Sequence, residues 1–353
     1  MTDPLHHLSR AREKAPSNLA GTGPSGSFES VERSYEALRS DAALVQLGFL
    51  SAFEVLGPDA TDFLQGMISN DVMQIAAGQG CLAVILTPIG KLIADLTVLK
   101  FSKEKFWLVC RSELKGKTMD ALKRFIVSDQ VDVKDLPAKS AIGIIGPRSG
   151  ERLERLAGSR PQRPYEHREM LLDGHIALLT RDTRYGVDGY QIWFSQDGAM
   201  QLTQQIEKKC EVARADPEAF ETLRIEAGVP VYGTDFDETN IPLEANLDNA
   251  LNFQKGCYTG QEVIARVTYL GSVSKKLAGL VVEGDTVPKA GEEVLVDGRQ
   301  IGRVTSAARS LRLRRPIALA YIQKLFLKPG TRVELKISGC GASVQSLPLV
   351  PAQ

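Results

Sequence analysis

The chain has 353 residues, which is enough for two or three domains that each bury a core of their own. Its 43 Lys and Arg residues balance 43 Asp and Glu residues, and this zero net charge argues against direct binding to nucleic acid or to an anionic membrane. No apolar run approaches the about 18 residues of a membrane helix, and the 5 cysteines include no Cys-x-x-Cys pair. We therefore expect a cytoplasmic protein without a membrane partner.

The first part of the chain predicts a polar tail followed by helices and strands. Residues 1–26 lack the apolar stretch of a secretory signal and are predicted to form a flexible tail. Pro58 can begin a helix at its first position, and the apolar stripe after it predicts a helix over residues 59–69. The other elements predicted here are helices over 27–47 and 114–127, strands over 53–56, 106–110, 131–133 and 141–145, and a hairpin of 81–87 with 91–99.

The middle of the chain continues with strands and helices in alternation. Asp216 and Pro217 predict the start of a helix, with Asp216 as the N-cap, and Gly228 predicts its end. His167 and His175 are predicted to lie in a polar connector and have no zinc-type neighbours. The further elements predicted in this region are strands over 175–180 and 190–194 and a helix over 199–209.

The character of the chain changes after about Leu277. Short apolar runs separated by glycines, prolines and charged residues predict strands, and no helical periodicity appears. This pattern is typical of a small β-barrel. We therefore expect an α+β region over residues 27–270, which has two subdomains, followed by a C-terminal β-barrel domain over 271–353.

The segment Lys255–Glu262 combines residue types that neither a helix nor a strand requires. Gly256 and Gly260 indicate unusual backbone conformations or a close approach to another group. A lysine two residues before Cys257 would favour the thiolate form of the cysteine. We therefore predict a functional site here, with Cys257 as its thiol. The candidate site residues are Lys255, Gly256, Cys257, Tyr258, Gly260, Gln261, Glu262 and Arg266.

Two blocks precede this segment, Leu223–Gly233 and Ile241–Leu247. Together with the segment, they resemble the superfamily of the glycine-cleavage T protein, a tetrahydrofolate-dependent aminomethyltransferase. The run from Lys255 to Arg266 is similar to the signature of one branch, the YgfZ family of folate-binding-like proteins, which act in iron–sulfur cluster assembly or repair. The resemblance implies an aminomethyltransferase-type folate-binding fold with interleaved sheets and helices, and tetrahydrofolate or a folate derivative as the ligand. The folate contacts that it implies are Asn70, Asp71, Asp188, Tyr190 and Arg224.

The chain departs from the active aminomethyltransferases at three positions. Ala94 stands where the family carries the first aspartate of an Asp-Asp-Leu run, which the family uses in catalysis. Val187 and Gln191 replace two glutamates of a run that helps to hold the folate. An alanine cannot orient an amine or stabilise a developing cation. The resemblance and these departures together predict a protein that is not a turnover enzyme.

Three roles remain open for Cys257. Its thiolate could bind iron or a cluster transiently, it could attack a disulfide or persulfide of a partner, or it could be a buried structural thiol. One cysteine cannot hold a stable cluster, so no stably bound metal is expected and other ligands would come from a partner. The predicted function is iron–sulfur cluster assembly or repair with iron–sulfur client or assembly proteins as partners, including by family analogy radical enzymes that modify tRNA.

Other functions compete with this prediction. The main alternative is a true tetrahydrofolate-dependent aminomethyltransferase, which the alanine at position 94 disfavours. The same scaffold could also serve a folate-dependent demethylase or a tRNA methyltransferase, or a module that binds folate without chemistry. An assay of methylene transfer from an aminomethyl-loaded lipoyl carrier to tetrahydrofolate separates the first alternative from the others.

Overall fold

The computed structural model describes residues 28–352, so the predicted tail lies outside the described residues. The helices are α1 (Phe28–Ser40), α2 (Ala60–Met67), α3 (Lys115–Lys123), α4 (Ser149–Ala157), α5 (Ala199–Cys210), α6 (Pro217–Ala227) and α7 (Gln261–Leu270). The strands are β1 (Ala43–Gln46), β2 (Leu50–Leu56), β3 (Gln79–Leu86), β4 (Leu92–Lys100), β5 (Lys105–Arg111), β6 (Asp132–Asp135), β7 (Lys139–Ile145), β8 (His167–Leu172), β9 (His175–Arg181), β10 (Gly189–Ser195), β11 (Lys275–Val282), β12 (Glu293–Val296), β13 (Arg299–Ser310), β14 (Arg315–Gln323), β15 (Arg332–Leu335) and β16 (Gly341–Gln345).

The first sheet has the strand order β1-β7-β10-β9-β8, and each neighbouring pair is antiparallel. Helices α4 and α5 pack on one face through a core that contains Leu153, Ile192 and Leu202. Helices α1 and α6 cover the other face through a core that contains Tyr35 and Phe220. Because both faces are covered, the central strands are apolar on both sides.

The second sheet has the order β3-β4-β5-β2-β6 and is also antiparallel. Its main core contains Phe63 and Leu64 of α2, Leu122 of α3 and Ile264 of α7. The opposite face contributes residues such as Leu99 to the core that lies against the first sheet. The predicted hairpin is confirmed, because β3 and β4 pair directly. These two sheets and their helices form the α+β region.

The six C-terminal strands form a closed barrel in the order β11-β14-β13-β12-β15-β16. Its interior is filled by apolar side chains, among them Leu280, Val304 and Ala320. Closure removes the exposed sheet edges that short strands would otherwise present. The predicted fold class, an α+β folate-binding-type region followed by a small β-barrel, is confirmed.

Helix α6 joins the α+β region to the barrel. The Asp216 carboxylate accepts a hydrogen bond from the backbone N–H of Glu218 at 2.9 Å, and Gly228 ends the helix with a φ of 72°, as predicted. Glu226 is fully buried and accepts hydrogen bonds from the Tyr35 hydroxyl at 2.8 Å and from Ser310 of β13. Arg39 forms an ion pair with the same carboxylate. These contacts fix the barrel against α1 and α6.

Several local predictions were wrong, and each error has a structural cause. The helix predicted over 27–47 ends at Ser40, because residues 43–46 pair with β7 instead. The helix predicted over 114–127 ends earlier, at Lys123. His167 begins strand β8 rather than lying in a connector, whereas His175 begins β9, in agreement with the strand predicted over 175–180. No helix in the described residues 28–352 is long and apolar enough to cross a membrane.

Candidate functional site

A cavity of about 530 Å³ lies between the second sheet and the barrel. Strands β3 and β4 form one wall, the residues that follow α6 form a second, and the start of β11 with the C-terminal segment forms a third. Apolar side chains dominate the walls, and a few polar groups converge on the cavity. The polar residues in the lining are Asp95, Arg184, Asn246, Asn249, Lys276, Gln345 and Ser346.

Asp95 supplies the carboxylate of this cavity. Successive side chains of a strand point to opposite faces, and in β4 Ala94 is fully buried in the main core whereas Asp95 lines the cavity. The Oδ1 atom of Asp95 is buried and has no hydrogen-bond partner among the residues that the structure describes. Burial raises the pKa of Asp95, and the charge of Arg184 opposes that rise only in part.

Arg184 lines the same cavity. Its Nη2 donates to Asp182 Oδ2 at 2.7 Å, and its Nε lies 3.0 Å from each oxygen of that carboxylate. Burial works against the charge of Asp182, but the guanidinium outweighs it and holds the pKa of Asp182 below its usual value. Asp95 and Arg184 form no ion pair with each other within the described part of the chain, so both charges remain available to a ligand.

A second layer of side chains fixes Asp182. The Gln191 amide donates from Nε2 to Asp182 Oδ2 at 2.7 Å, and its Oε1 accepts from the Trp193 indole at 3.1 Å. The two positions where the sequence lacks the expected glutamates thus have structural roles. Gln191 supports the carboxylate that holds Arg184, and Val187 is buried in the core between the sheets.

The barrel side of the cavity carries the remaining polar groups. Asn246 has a φ of 58° and donates from Nδ2 to the Leu277 carbonyl at 2.8 Å, which ties this segment to β11. The Lys276 side chain is 35% exposed, and its Nζ lies 3.5 Å from Asp248 Oδ2. This weak pairing leaves a partly exposed cation in the cavity lining.

Arg224, a predicted folate contact, lines a smaller cavity of about 40 Å³ that shares Asp95 and Arg184 with the large one. Its guanidinium is fully buried and donates to Asp235 Oδ2 at 2.7 Å and to the Ser306 hydroxyl at 2.8 Å. Arg224 therefore joins α6 to the barrel at the wall shared by the two cavities.

The other four predicted folate contacts line neither cavity. Asn70 donates to the Leu82 carbonyl at 2.7 Å, and Asp71 accepts from the Met73 backbone at 3.0 Å. Asp188 pairs with Arg181 at 2.8 Å. The Tyr190 ring belongs to the core beneath α4 and α5. The structure uses these four side chains in turns, an ion pair and a core.

The Lys255 side chain does not serve the thiol as predicted. Its ammonium is buried and donates to the carbonyls of Gln65, Ile68 and Asn70 at 2.7, 2.6 and 2.9 Å, at the C-terminal end of α2. Burial lowers the pKa of Lys255 to about 8. The lysine thus satisfies backbone acceptors that the helix end leaves without partners.

The remaining residues of the cysteine segment divide into buried and exposed groups. Cys257 is exposed, which argues against the buried structural thiol that was one of its three open roles. Tyr258 is buried in the main core, and Gly260 has a φ of 83° with no room for a Cβ atom, which would meet the Thr87 carbonyl at 2.5 Å. The segment therefore packs against the β3–β4 turn. Its other predicted site residues are Gly256, Glu262 and Arg266, which are exposed, and Gln261, which is half-buried and begins α7.

Sequence reasoning missed Asp95, Asp182 and Arg184. The available signal was a single aspartate in the otherwise apolar run of β4. A carboxylate in such a strand must face solvent, a partner or a cavity, because burial of an unpaired charge is costly. Arg184 gave no comparable signal, since only the fold brings it opposite β4.

Family models match most of the chain. Residues 10–255 match the GCVT N-terminal domain, and residues 275–350 match the glycine cleavage T-protein C-terminal barrel domain. A crystal structure of glycine cleavage system aminomethyltransferase T from Bartonella henselae superposes with a TM-score of 0.83 at 23% identity, covering 92% of this chain and 90% of that one. At this identity the likeness concerns the fold.

Curated relatives align over nearly their whole length. An aminomethyltransferase of Nostoc sp. is 27% identical over 95% of this chain and 91% of its own. One of Caldanaerobacter subterraneus is 29% identical over 91% of this chain and 87% of its own. These names contradict the predicted function in iron–sulfur cluster assembly or repair. Neither the iron–sulfur client partners nor the link to tRNA modification has support here.

Proposed function

Because the chain belongs to the glycine cleavage T-protein family, we propose that it is an aminomethyltransferase that passes a one-carbon unit to tetrahydrofolate. The observation that carries this proposal is the buried Asp95 Oδ1 atom in the wall of the 530 Å³ cavity, which has no hydrogen-bond partner among residues 28–352. Relatives named aminomethyltransferase support it, since they align from end to end. The reaction also requires an aminomethyl-loaded carrier as partner.

The cavity fits a folate in size and chemistry. Its volume of about 530 Å³ lies within the range that holds ligands of this size. The apolar walls suit a flat ring, and Asp95 and Arg184 offer an acceptor and a donor in the lining. Lys276, which is more exposed than Arg184, suits the carboxylates of a glutamate tail. Tetrahydrofolate, when bound, supplies the nitrogen nucleophiles that take up the one-carbon unit.

Asp95 is the residue that we assign to the chemistry. When ionised, its carboxylate can accept a hydrogen bond from an N–H of the bound ligand and stabilise positive charge that develops on the aminomethyl group. The surrounding apolar walls exclude water and strengthen this interaction. Burial raises the pKa of Asp95, and the positive charge of Arg184 opposes this rise, which favours the ionised carboxylate.

This assignment removes the reason to expect an inactive protein. That expectation depended on Ala94, whose side chain lies in the main core and faces away from the cavity. A carboxylate is nevertheless present one residue later, on the face of β4 that lines the cavity. The narrower resemblance of residues 255–266 to the YgfZ branch stays a prediction about sequence relationship, and the proposed activity does not depend on it.

The test is a transfer assay with the full chain, an aminomethyl-loaded lipoyl carrier and tetrahydrofolate. We expect ammonia release and methylene-tetrahydrofolate formation that both require tetrahydrofolate, and we expect the Asp95→Asn variant to lose them. Cys257→Ser is the matched control, because the exposed thiol lies outside the cavity lining. A folded wild-type chain that binds tetrahydrofolate yet transfers nothing contradicts the proposal.

A further inference from the structure

Arg184 is held so that part of its guanidinium points at no protein acceptor. Its Nε and Nη2 are bound by Asp182, while Nη1 donates to none of the residues that the structure describes. The side chain is only 18% exposed and lines both the large and the small cavity. A guanidinium fixed along one edge in this way presents its remaining N–H groups as rigid donors to a ligand.

The amide of Gln191 is required for this arrangement. It donates to Asp182 and accepts from Trp193 at the same time, which a glutamate cannot do because an ionised carboxylate only accepts. A glutamate here would also place a second carboxylate beside Asp182, where the amide nitrogen now lies 2.7 Å from Oδ2. The repulsion between two carboxylates at that distance would weaken the ion pair between Asp182 and Arg184.

Asp95 lines the same two cavities, and its Oδ1 is an acceptor with no donor in the part of the chain that the structure describes. Asp95 and Arg184 are close enough to influence each other electrostatically, yet they form no ion pair among residues 28–352. A ligand that satisfies both must present a hydrogen-bond donor beside an acceptor on one edge. The C4 carbonyl of a tetrahydropterin ring and the N5–H beside it have this pattern.

We propose that Arg184 is a specificity-determining residue that donates to the C4 carbonyl of the pterin ring, with Asp95 accepting from the N5–H beside that carbonyl. Gln191 is its positioning residue, acting through Asp182. This inference rests on the proposed function, because it assumes a folate in the cavity. It assigns the ring to Asp95 and Arg184 and leaves the anionic tail to the more exposed Lys276.

The experiment compares three probes by calorimetry: folic acid, its 4-amino analogue, whose ring carbonyl is replaced by an amino donor, and pteroic acid, which lacks the glutamate tail. We expect the wild type to bind folic acid roughly ten- to hundred-fold more tightly than the 4-amino analogue, the size of one lost charged hydrogen bond. Arg184→Ala should abolish this preference. It should leave the ratio of the affinities for folic acid and pteroic acid unchanged. Arg181→Ala is the matched control, because Arg181 pairs with Asp188 and lines neither cavity.

Two further variants keep the test decisive if Arg184→Ala fails to fold. Arg184→Lys retains the charge without the fixed donor edge, and it should lose most of the preference. Gln191→Glu should weaken the preference and also shift the emission of Trp193, which loses a neutral acceptor. If Gln191→Glu leaves both the emission and the preference unchanged, the positioning role is overturned.

The outcomes separate this inference from the proposed function. If the wild type transfers the one-carbon unit but Arg184→Lys and Arg184→Ala keep the preference against the 4-amino analogue, only the role of Arg184 is overturned. If the Arg184 variants no longer distinguish folic acid from pteroic acid but still prefer folic acid over the 4-amino analogue, Arg184 binds the tail. The assignment of Arg184 to the ring is then wrong. If the wild type neither binds folic acid nor transfers, both proposals fail.

Discussion

Two regions of this protein contrast in how they present chemistry. The segment Lys255–Glu262 gathers reactive residue types along eight positions of the sequence, but its lysine and tyrosine serve packing. The polar groups of the cavity around Asp95 and Arg184 come from distant parts of the chain. No single stretch of sequence contains enough of them to predict the cavity. The comparison teaches that a carboxylate without a protein partner is a stronger sign of function than a conspicuous run of residue types.

The largest expected effect concerns Asp95. Asp95→Asn should lower kcat/KM for one-carbon transfer by roughly 10²–10⁴-fold, the range for a lost acid–base or charge-stabilising group. The native pKa is raised by burial, so wild-type activity should fall as pH decreases through that raised value, and this acid limb should vanish in the variant. The raised pKa also means that ionised Asp95 disfavours the folded state at neutral pH, so the variant should be at least as stable. Steady-state kinetics against pH and thermal unfolding measure these effects.

The neighbouring position gives the reverse experiment. Ala94→Asp would place a carboxylate in the main core, where Ala94 is fully buried. We expect a loss of about 3 kcal/mol or more in the free energy of unfolding, measured by urea denaturation, and no gain in transfer activity. Increased transfer by a folded Ala94→Asp protein would return the catalytic role to position 94.

A smaller effect is expected at Lys255. Lys255→Met leaves the carbonyls of Gln65, Ile68 and Asn70 without their donor, and it should lower the free energy of unfolding by about 2–3 kcal/mol. Burial lowers the native pKa from 10.5 to about 8, so the unfolded chain binds more protons between these values. Wild-type stability should therefore gain from this group as pH rises from about 8 to 10.5, and the variant should lack that slope. An unchanged slope in urea titrations of the variant would show that Lys255 is not its source.

The smallest effect is expected at Cys257. Because the thiol is exposed and lies outside the cavity lining, Cys257→Ser should change the free energy of unfolding by less than about 0.5 kcal/mol. Its transfer rate should remain within about twofold of the wild type, the scatter expected for a surface change. A drop as large as that of Asp95→Asn would reinstate the cysteine segment as the functional site.

Much of the fold was predictable where local chemistry and tertiary structure agree. The capping Asp216 and terminal Gly228 marked both ends of α6, and the Pro-Ile-Gly turn marked the β3–β4 hairpin. Residues 43–46 were assigned to a helix because their apolar spacing continued that of α1, and only pairing with β7 decided otherwise. Short apolar runs do not distinguish helix from strand, because either can bury them.

The sequence by itself determined the family, the α+β region with its barrel, and the presence of an aspartate in an apolar strand. Only the tertiary structure decided that Asp95 and not Ala94 lines the cavity, and that Arg184 lines it too, held by Asp182, which Gln191 supports. The physical reason is that strand register sets which face a side chain occupies, and burial sets what its charge costs. Both depend on contacts between residues that are far apart in the chain.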